Sequence, residues 1–218
     1  MRHLIILFCF LLHSCLALGQ QPPFWSDIEA FKAQDSIQMP AQQQILFVGS
    51  SSFTYWKDVQ SYFPSFPIVN RGFGGSSLPD VIRYEKEVIF KYRPKQIVIY
   101  CGENDLAGDS TVTGQIVFER FQTLFKDIRT SLPDVHIVYV SMKPSPSRTH
   151  LMGKMQDGNK MIQSFLGKQK NAIFADVYYL MLNTDGQPEV SLFREDMLHM
   201  NAKGYKIWQG LLQDYLIH

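Results

Sequence analysis

The sequence predicts an α/β domain, a three-layer α/β/α sandwich on a five-stranded parallel sheet. Three observations predict it. Five short apolar runs, at residues 45–49, 68–70, 96–100, 136–140 and 172–177, are bounded by turn residues. Such runs read as strands buried on both faces, as a parallel sheet requires. Stretches with apolar residues at helical spacing separate most of them, and strand–helix alternation of this kind closes into right-handed crossovers. Finally, no repeat or low-complexity tract interrupts the pattern, and 218 residues suffice for one domain with a sizeable core.

Residues 1–19 resemble an export signal. Arg2 and His3 precede a wholly apolar stretch from Leu4 to Leu12, and Ala17-Leu18-Gly19 offers a cleavage site before Gln20. The apolar run is too short to span a membrane. Leu12-His13-Ser14-Cys15 competes as a lipoprotein box, although His13 is atypical there, and simple cleavage to a periplasmic or extracellular protein is the expectation. Cleavage would leave 20 basic and 20 acidic residues, a balance that points to no nucleic-acid or anionic-membrane partner. It would also leave Cys101 as the one cysteine, so core burial rather than a disulfide must stabilise the exported fold. No metal-ligand spacing is present.

Residues 20–43 are polar, with Pro22, Pro23 and Pro40, and read as a tether holding a short helix near residues 25–31. The first strand, 45–49, runs into Gly49-Ser50-Ser51-Ser52. The next dozen residues carry Phe53, Tyr55, Trp56, Tyr62 and Phe63; Phe53, Tyr55 and Trp56, with Phe73 further on, are more naturally core than a substrate platform. The second strand, 68–70, opens onto Asn70-Arg71-Gly72-Phe73-Gly74-Gly75-Ser76-Ser77, a glycine-rich loop. Ser77 then caps a helix with Pro79 and Asp80 in its first turn, which continues to Tyr92 before Pro94. The third strand, 96–100, leads to Cys101-Gly102-Glu103-Asn104-Asp105. A helix over 114–131 buries Val117, Phe121, Leu124, Phe125 and Ile128. The fourth strand is followed by a proline-containing loop and a helix over 150–168. The fifth precedes a loop and a last helix, 202–216, capped by Asn201 and facing Tyr205, Trp208, Leu211, Leu212 and Tyr215 inward.

In open α/β sheets ligands sit beyond the carboxyl ends of the strands. Three such ends here carry serines, glycines and Asn104. A serine attacks only when a base takes its proton, and histidine suits neutral pH if a carboxylate orients it. His3 and His13 lie in the signal, His136 opens a strand, His150 has no acid nearby and His218 is the terminus. His199 follows Asp196 by three residues in one loop. Glycine-loop N–H groups and an asparagine amide are common donors to a developing oxyanion. Each piece also has a plainer use as a turn or helix cap, and it is their ordered conjunction that points to chemistry. Gly72-x-Gly74-x-x-Ser77 falls one residue short of a dinucleotide fingerprint and follows the wrong strand for one.

With these blocks in view, the chain resembles the SGNH hydrolases, the GDSL-type esterases and lipases, over about residues 44–216. The blocks stand as Gly49-Ser50-Ser51-Ser52, Asn70-Arg71-Gly72-Phe73-Gly74-Gly75, Gly102-Glu103-Asn104-Asp105 and Asp196-Met197-Leu198-His199. The resemblance implies a flavodoxin-like sheet, no cofactor, and hydrolysis of carboxylic esters of lipids, aryl alcohols or acylated sugars. It implies Ser51 as nucleophile, His199 as base and Asp196 as its orienter. The Ser51 N–H, the Gly75 N–H and the Asn104 side chain are the implied oxyanion hole. Ser50 stands where the family's first block usually has aspartate. The register from Gly49 therefore selects Ser51, and the absence of Gly-x-Ser-x-Gly argues against an α/β-hydrolase elbow. A short-acyl esterase acting on carbohydrate is the expected activity. A lipid acylhydrolase, or a non-catalytic carbohydrate-binding relative of the same fold, is the alternative. The loops at 142–152 and 178–194 are the expected determinants of specificity.

Overall fold

A computed structural model describes residues 21–218. The export signal expected at residues 1–19 lies outside the described residues. Five strands, β1 (Ile45–Gly49), β2 (Ile68–Gly72), β3 (Gln96–Tyr100), β4 (His136–Val140) and β5 (Ala172–Ala175), form one parallel sheet in the order β2-β1-β3-β4-β5. That is the flavodoxin-like order, with helices on both faces. The strand direction reverses its progress across the sheet at β1, and the crevice there lies between the ends of β2, β1 and β3.

The side-chain period of two divides the core cleanly. Leu46, Val48, Ile97, Ile99, Ile137 and Tyr139 face one cluster; Ile45, Phe47, Val98, Tyr100, Val138 and Val140 face the other. The helices are α1 (Trp25–Ile37), α2 (Ser51–Thr54), α3 (Val59–Tyr62), α4 (Leu78–Arg83), α5 (Glu85–Val88), α6 (Glu103–Gly108), α7 (Gly114–Ser131), α8 (Met152–Leu166) and α9 (Ala202–Leu212). The α7 helix has the expected bounds and buries all five expected residues. On the opposite face Tyr205, Trp208 and Leu212 of α9 pack against Phe53 and Trp56, with Trp56 stacked on Tyr205 at 4.7 Å. Burying each such side chain is worth roughly 1.5–3 kcal/mol.

Several boundaries differ from the sequence reading. The β2 strand continues through Arg71 and Gly72, because both still pair with β1 and Arg71 finds a buried partner. Its guanidinium donates to Asp35 at 2.6 Å, and Tyr92 and Lys91 donate to the other oxygen of the same carboxylate at 2.6 Å each. Asp35 belongs to α1, which runs past the expected residue 31 to Ile37. Ile28 is fully buried and Phe24 sits edge-on to Phe73. This part of the expected tether is therefore docked on the sandwich. The helix expected from Ser77 to Tyr92 breaks at Tyr84 (φ −109°, ψ 15°), whose hydroxyl donates to the Pro23 carbonyl. The expected start at residue 150 falls in a 3₁₀ turn, Pro146–Leu151, before α8. The last helix stops at Leu212. Beyond it the Gln96 side chain donates to the Tyr215 carbonyl and accepts from the Ile217 N–H. The fifth strand ends at Ala175, and Asp176 turns back to accept from the Tyr178 N–H.

Cys101 is a buried free thiol. No described helix is long and apolar enough to cross a membrane.

Candidate active site

The end of β1 needs a residue without a side chain. Gly49 has φ +136°, and a Cβ there would lie 1.9 Å from the Tyr100 carbonyl oxygen. The turn delivers three serines in different environments. Ser50 and Ser52 are buried, at 2 % exposure each, while Ser51 opens α2 and is partly exposed. Ser51 Oγ lies 3.0 Å from His199 Nε2, and His199 Nδ1 lies 2.8 Å from Asp196 Oδ2. The structure thus joins the serine selected by the Gly49 register to the Asp-x-x-His loop, across 148 residues of sequence.

An ionised carboxylate only accepts hydrogen bonds, so the imidazole proton sits on Nδ1 and Nε2 presents a lone pair to the Ser51 hydroxyl. The other Asp196 oxygen, Oδ1, accepts from the Leu198 and His199 N–H groups at 2.9 Å each. Met197 adopts φ +55° to make that tight loop, an uncommon conformation for a residue with a side chain. Partial burial alone would raise the Asp196 pKa, but the hydrogen bonds from the His199 N–H, its ring and the Leu198 N–H bring it down to about 2. The group is a carboxylate at any pH at which an esterase works.

The glycine loop after β2 passes beside the serine: a side chain at Gly74 would come within 3.9 Å of Ser51 Cβ. Gly75 follows with φ +87°. Neither the Gly74 nor the Gly75 N–H has a protein partner among the described residues, so both are free to donate. The third donor expected from sequence, Asn104, lies in α6, a short helix that follows β3 directly. Its Nδ2 donates to the Ser76 carbonyl at 3.0 Å, which uses one of its two protons. Asp105, its neighbour, is committed elsewhere. It accepts from the Leu78 N–H at 2.9 Å and from Arg120 at 2.8 Å.

Of the aromatic residues near the serines, Phe53, Trp56 and Phe73 are wholly buried and belong to the core. Tyr55 alone is exposed there. Its ring stands 4.5 Å from the His199 ring, with the Arg194 guanidinium 5.1 Å above it. A cavity of about 590 Å³ opens on the Asp196 side, lined among others by Leu106, Leu151, Arg148, His150, Lys154 and Asp196. A larger groove of about 770 Å³ between α3 and α9 includes none of the Ser51, His199 and Asp196 side chains in its walls. No cluster of three or more His, Cys, Asp or Glu side chains able to hold a metal is found among the described residues.

Sequence reasoning missed a buried charged cluster beneath the site. Glu103 accepts from Arg148 at 2.9 Å, from the Tyr100 hydroxyl and, at 3.5 Å, from Lys143. Lys143 also donates to the Leu198 carbonyl at 3.0 Å, and the Ser147 N–H and hydroxyl donate to the Met197 carbonyl at 3.0 and 2.9 Å. The segment 142–152, where the sequence places a specificity loop, holds the Asp-x-x-His loop in place. Glu103 stands within the third block, but its cationic partners lie 40 and 45 residues away and no spacing announces them.

A family model for GDSL-like lipases and acylhydrolases matches residues 48–207. No curated protein matches the sequence. Solved structures share the fold at low identity. A GDSL-like lipase from Bacteroides thetaiotaomicron superposes with a TM-score of 0.73 at 17 % identity, over 86 % of this chain and 96 % of that one. A lipase/acylhydrolase from Enterococcus faecalis gives 0.64 at 18 %, over 80 % and 95 %. An acetylxylan esterase from Geobacillus stearothermophilus, in a catalytic mutant form, gives 0.63 at 13 %, over 82 % and 97 %.

Proposed function

Since the chain belongs to the GDSL-like lipase/acylhydrolase family of ester-hydrolysing enzymes, we propose that it is an exported serine esterase removing short acyl groups, acetyl foremost, from carbohydrates. One observation carries the catalytic assignment: the unbroken hydrogen-bonded path from Ser51 Oγ through the His199 ring to Asp196. In this mechanism Ser51 Oγ attacks the acyl carbonyl carbon as its proton passes to His199 Nε2. The charge on the carbonyl oxygen meets the Ser51 and Gly75 N–H groups and the remaining Asn104 N–H. The tetrahedral adduct collapses, His199 returns the proton to the departing alcohol, and the acyl group stays on Ser51. Water, deprotonated by the same Nε2, then releases the acid and restores the serine.

The short-acyl reading rests on the cavity beside Asp196 and on the ring beside His199. A long alkyl chain needs a continuous apolar groove to leave water. The cavity beside Asp196 breaks its apolar lining of Leu106, Ala107, Leu151 and Leu198 with Arg148, His150 and Lys154. The His150, Lys154, Ser110 and Ser147 side chains suit the hydroxyl groups of a sugar, and the exposed Tyr55 ring suits its apolar face. Phe53, Trp56 and Phe73 are core, as the sequence favours, and Tyr55 is the exception that stands exposed beside His199. Acetyl and butyryl esters of a chromogenic alcohol, long-chain homologues and an acetylated xylo-oligosaccharide form the test panel. Acetyl esters should exceed long-chain ones in kcat/KM by about tenfold or more, the scale of one badly accommodated methylene. Faster turnover of the long-chain series refutes the reading in favour of a lipid acylhydrolase.

Export is proposed on the sequence of residues 1–19. The mature protein should begin at or near Gln20 and carry no lipid, as intact mass after expression in a secreting host would record. A diacylglyceryl adduct on Cys15 would replace this with membrane anchoring.

A further inference from the structure

The amide of an asparagine can serve an oxyanion only in one of its two orientations. Turned over, it would present Oδ1, whose partial negative charge repels the substrate's. Two partners of opposite polarity select the orientation of Asn104. The Ser76 carbonyl accepts and so must face Nδ2, at 3.0 Å; the Arg148 guanidinium donates and so must face Oδ1, at 3.0 Å. Arg148 is itself fixed. Its other terminal nitrogen donates to Glu103 at 2.9 Å, and its side chain is 18 % exposed. Burial alone would push the Glu103 carboxyl up, but the charges of Lys143 and Arg148 and the bonds from Tyr100 and Arg148 outweigh it and hold the group ionised. The planar guanidinium thus spans a buried carboxylate and the amide oxygen with one rigid fork, a geometry that an ammonium group does not reproduce.

We infer that Arg148 is a positioning residue for catalysis: anchored on Glu103, it locks the Asn104 amide with its free N–H toward the oxyanion and, by bonding a cation to Oδ1, makes that N–H a stronger donor. The inference rests on the proposed role of Asn104. A hydrogen bond on an amide oxygen polarises the whole group, and a charged donor does so more strongly than a neutral one. The effect belongs to the transition state, where the oxyanion is fully developed, so it lowers the barrier and leaves ground-state binding nearly unchanged. Through Glu103 and Lys143 the same cluster reaches the Leu198 carbonyl, so the oxyanion donor and the loop of the base share one buried support.

The test is a double-mutant cycle on the full chain with an acetyl ester as substrate. Asn104→Ala should lower kcat by about 10²–10³. Arg148→Met should lower kcat by about 10–100-fold, the value of a charge-assisted hydrogen bond, with KM moving less than about threefold. Arg148→Lys keeps the charge beside Glu103, and with it the fold, but cannot bridge both partners; its kcat should fall similarly. In the Asn104→Ala background neither Arg148 substitution should lower kcat by more than about twofold, whereas any loss of melting temperature should persist. A purely structural arginine would cost the same factor in both backgrounds, and that result overturns the inference alone. A wild-type kcat in Arg148→Lys does the same. Unchanged kcat in Asn104→Ala would remove the oxyanion role of Asn104, and the inference with it, while leaving the assignment of Ser51 and His199 standing.

Discussion

Ser51→Ala should yield a folded protein whose kcat on acetyl esters is down by about 10⁴–10⁶-fold, the scale seen when a serine hydrolase loses its nucleophile. Ser50→Ala and Ser52→Ala should keep most of the activity. The contrast follows from where three consecutive hydroxyls point. Ser51 Oγ is 3.0 Å from His199 Nε2, whereas Ser50 and Ser52 are buried. Both neighbours are tied into the fold by backbone bonds: the Ser50 N–H donates to the Tyr100 carbonyl at 2.9 Å, and the Ser52 carbonyl accepts from the Tyr205 hydroxyl at 2.8 Å. Neither bond needs a serine side chain. Removing one partly exposed hydroxyl at position 51 should cost stability no more than about 1 kcal/mol, so melting temperature separates lost chemistry from lost fold. A fluorophosphonate, which reacts only with an activated serine, should label the wild-type chain on Ser51 and leave Ser51→Ala unlabelled. A label mapped to Ser50 or Ser52 would shift the nucleophile and break the proposed path to Asp196.

Much of this frame could be seen in the residues because the physics that writes it is local. Buried parallel strands are apolar runs, and β1, β3 and β4 have their expected bounds. The α7 helix shows a clean apolar stripe and ends where its pattern ends. Asp196 and His199 could be paired because three residues in one loop bring both to the same place. What escaped is what depends on distant partners. Arg71 looked like loop until Asp35 and the β1 ladder gave it a buried place in β2. Tyr84 sits in an unbroken helical pattern, yet its backbone leaves the helix while its hydroxyl meets Pro23, a contact across 61 residues. Glu103 escapes a sequence reading because an acidic residue before Asn-Asp gives no sign that Lys143 and Arg148 will neutralise it. Prolines and polarity before β1 suggest a tether, whereas Ile28, Phe24 and Asp35 each find a partner in the sandwich.

Asp196→Asn should prove nearly as damaging as removing the serine, although it changes one atom. The reason lies in how the carboxylate divides its two oxygens. Oδ1 accepts from two backbone donors, the Leu198 and His199 N–H groups, and Oδ2 accepts from the imidazole Nδ1–H. An asparagine has one acceptor and one donor end. Turning its oxygen toward the imidazole would set its N–H₂ against two backbone N–H groups, leaving three donors facing one another. The favoured orientation keeps the oxygen on the backbone and presents N–H₂ to Nδ1. That nitrogen must then carry the lone pair, and the imidazole proton moves to Nε2, where it points at the Ser51 hydroxyl. A protonated Nε2 cannot take the serine's proton, so kcat should fall by about 10⁴, the cost of the wrong tautomer in a triad of this kind. Because the two backbone bonds survive, the melting temperature should stay close to that of the parent. Asp196→Ala differs on this point: it strips the loop of both acceptors, Met197 loses the support for its left-handed backbone, and stability should fall along with activity. The comparison of kcat and melting temperature for the two variants is the measurement. An Asp196→Asn enzyme retaining more than about a tenth of the parental kcat would mean that His199 finds its tautomer without the carboxylate, and Asp196 would be reduced to a loop-forming role.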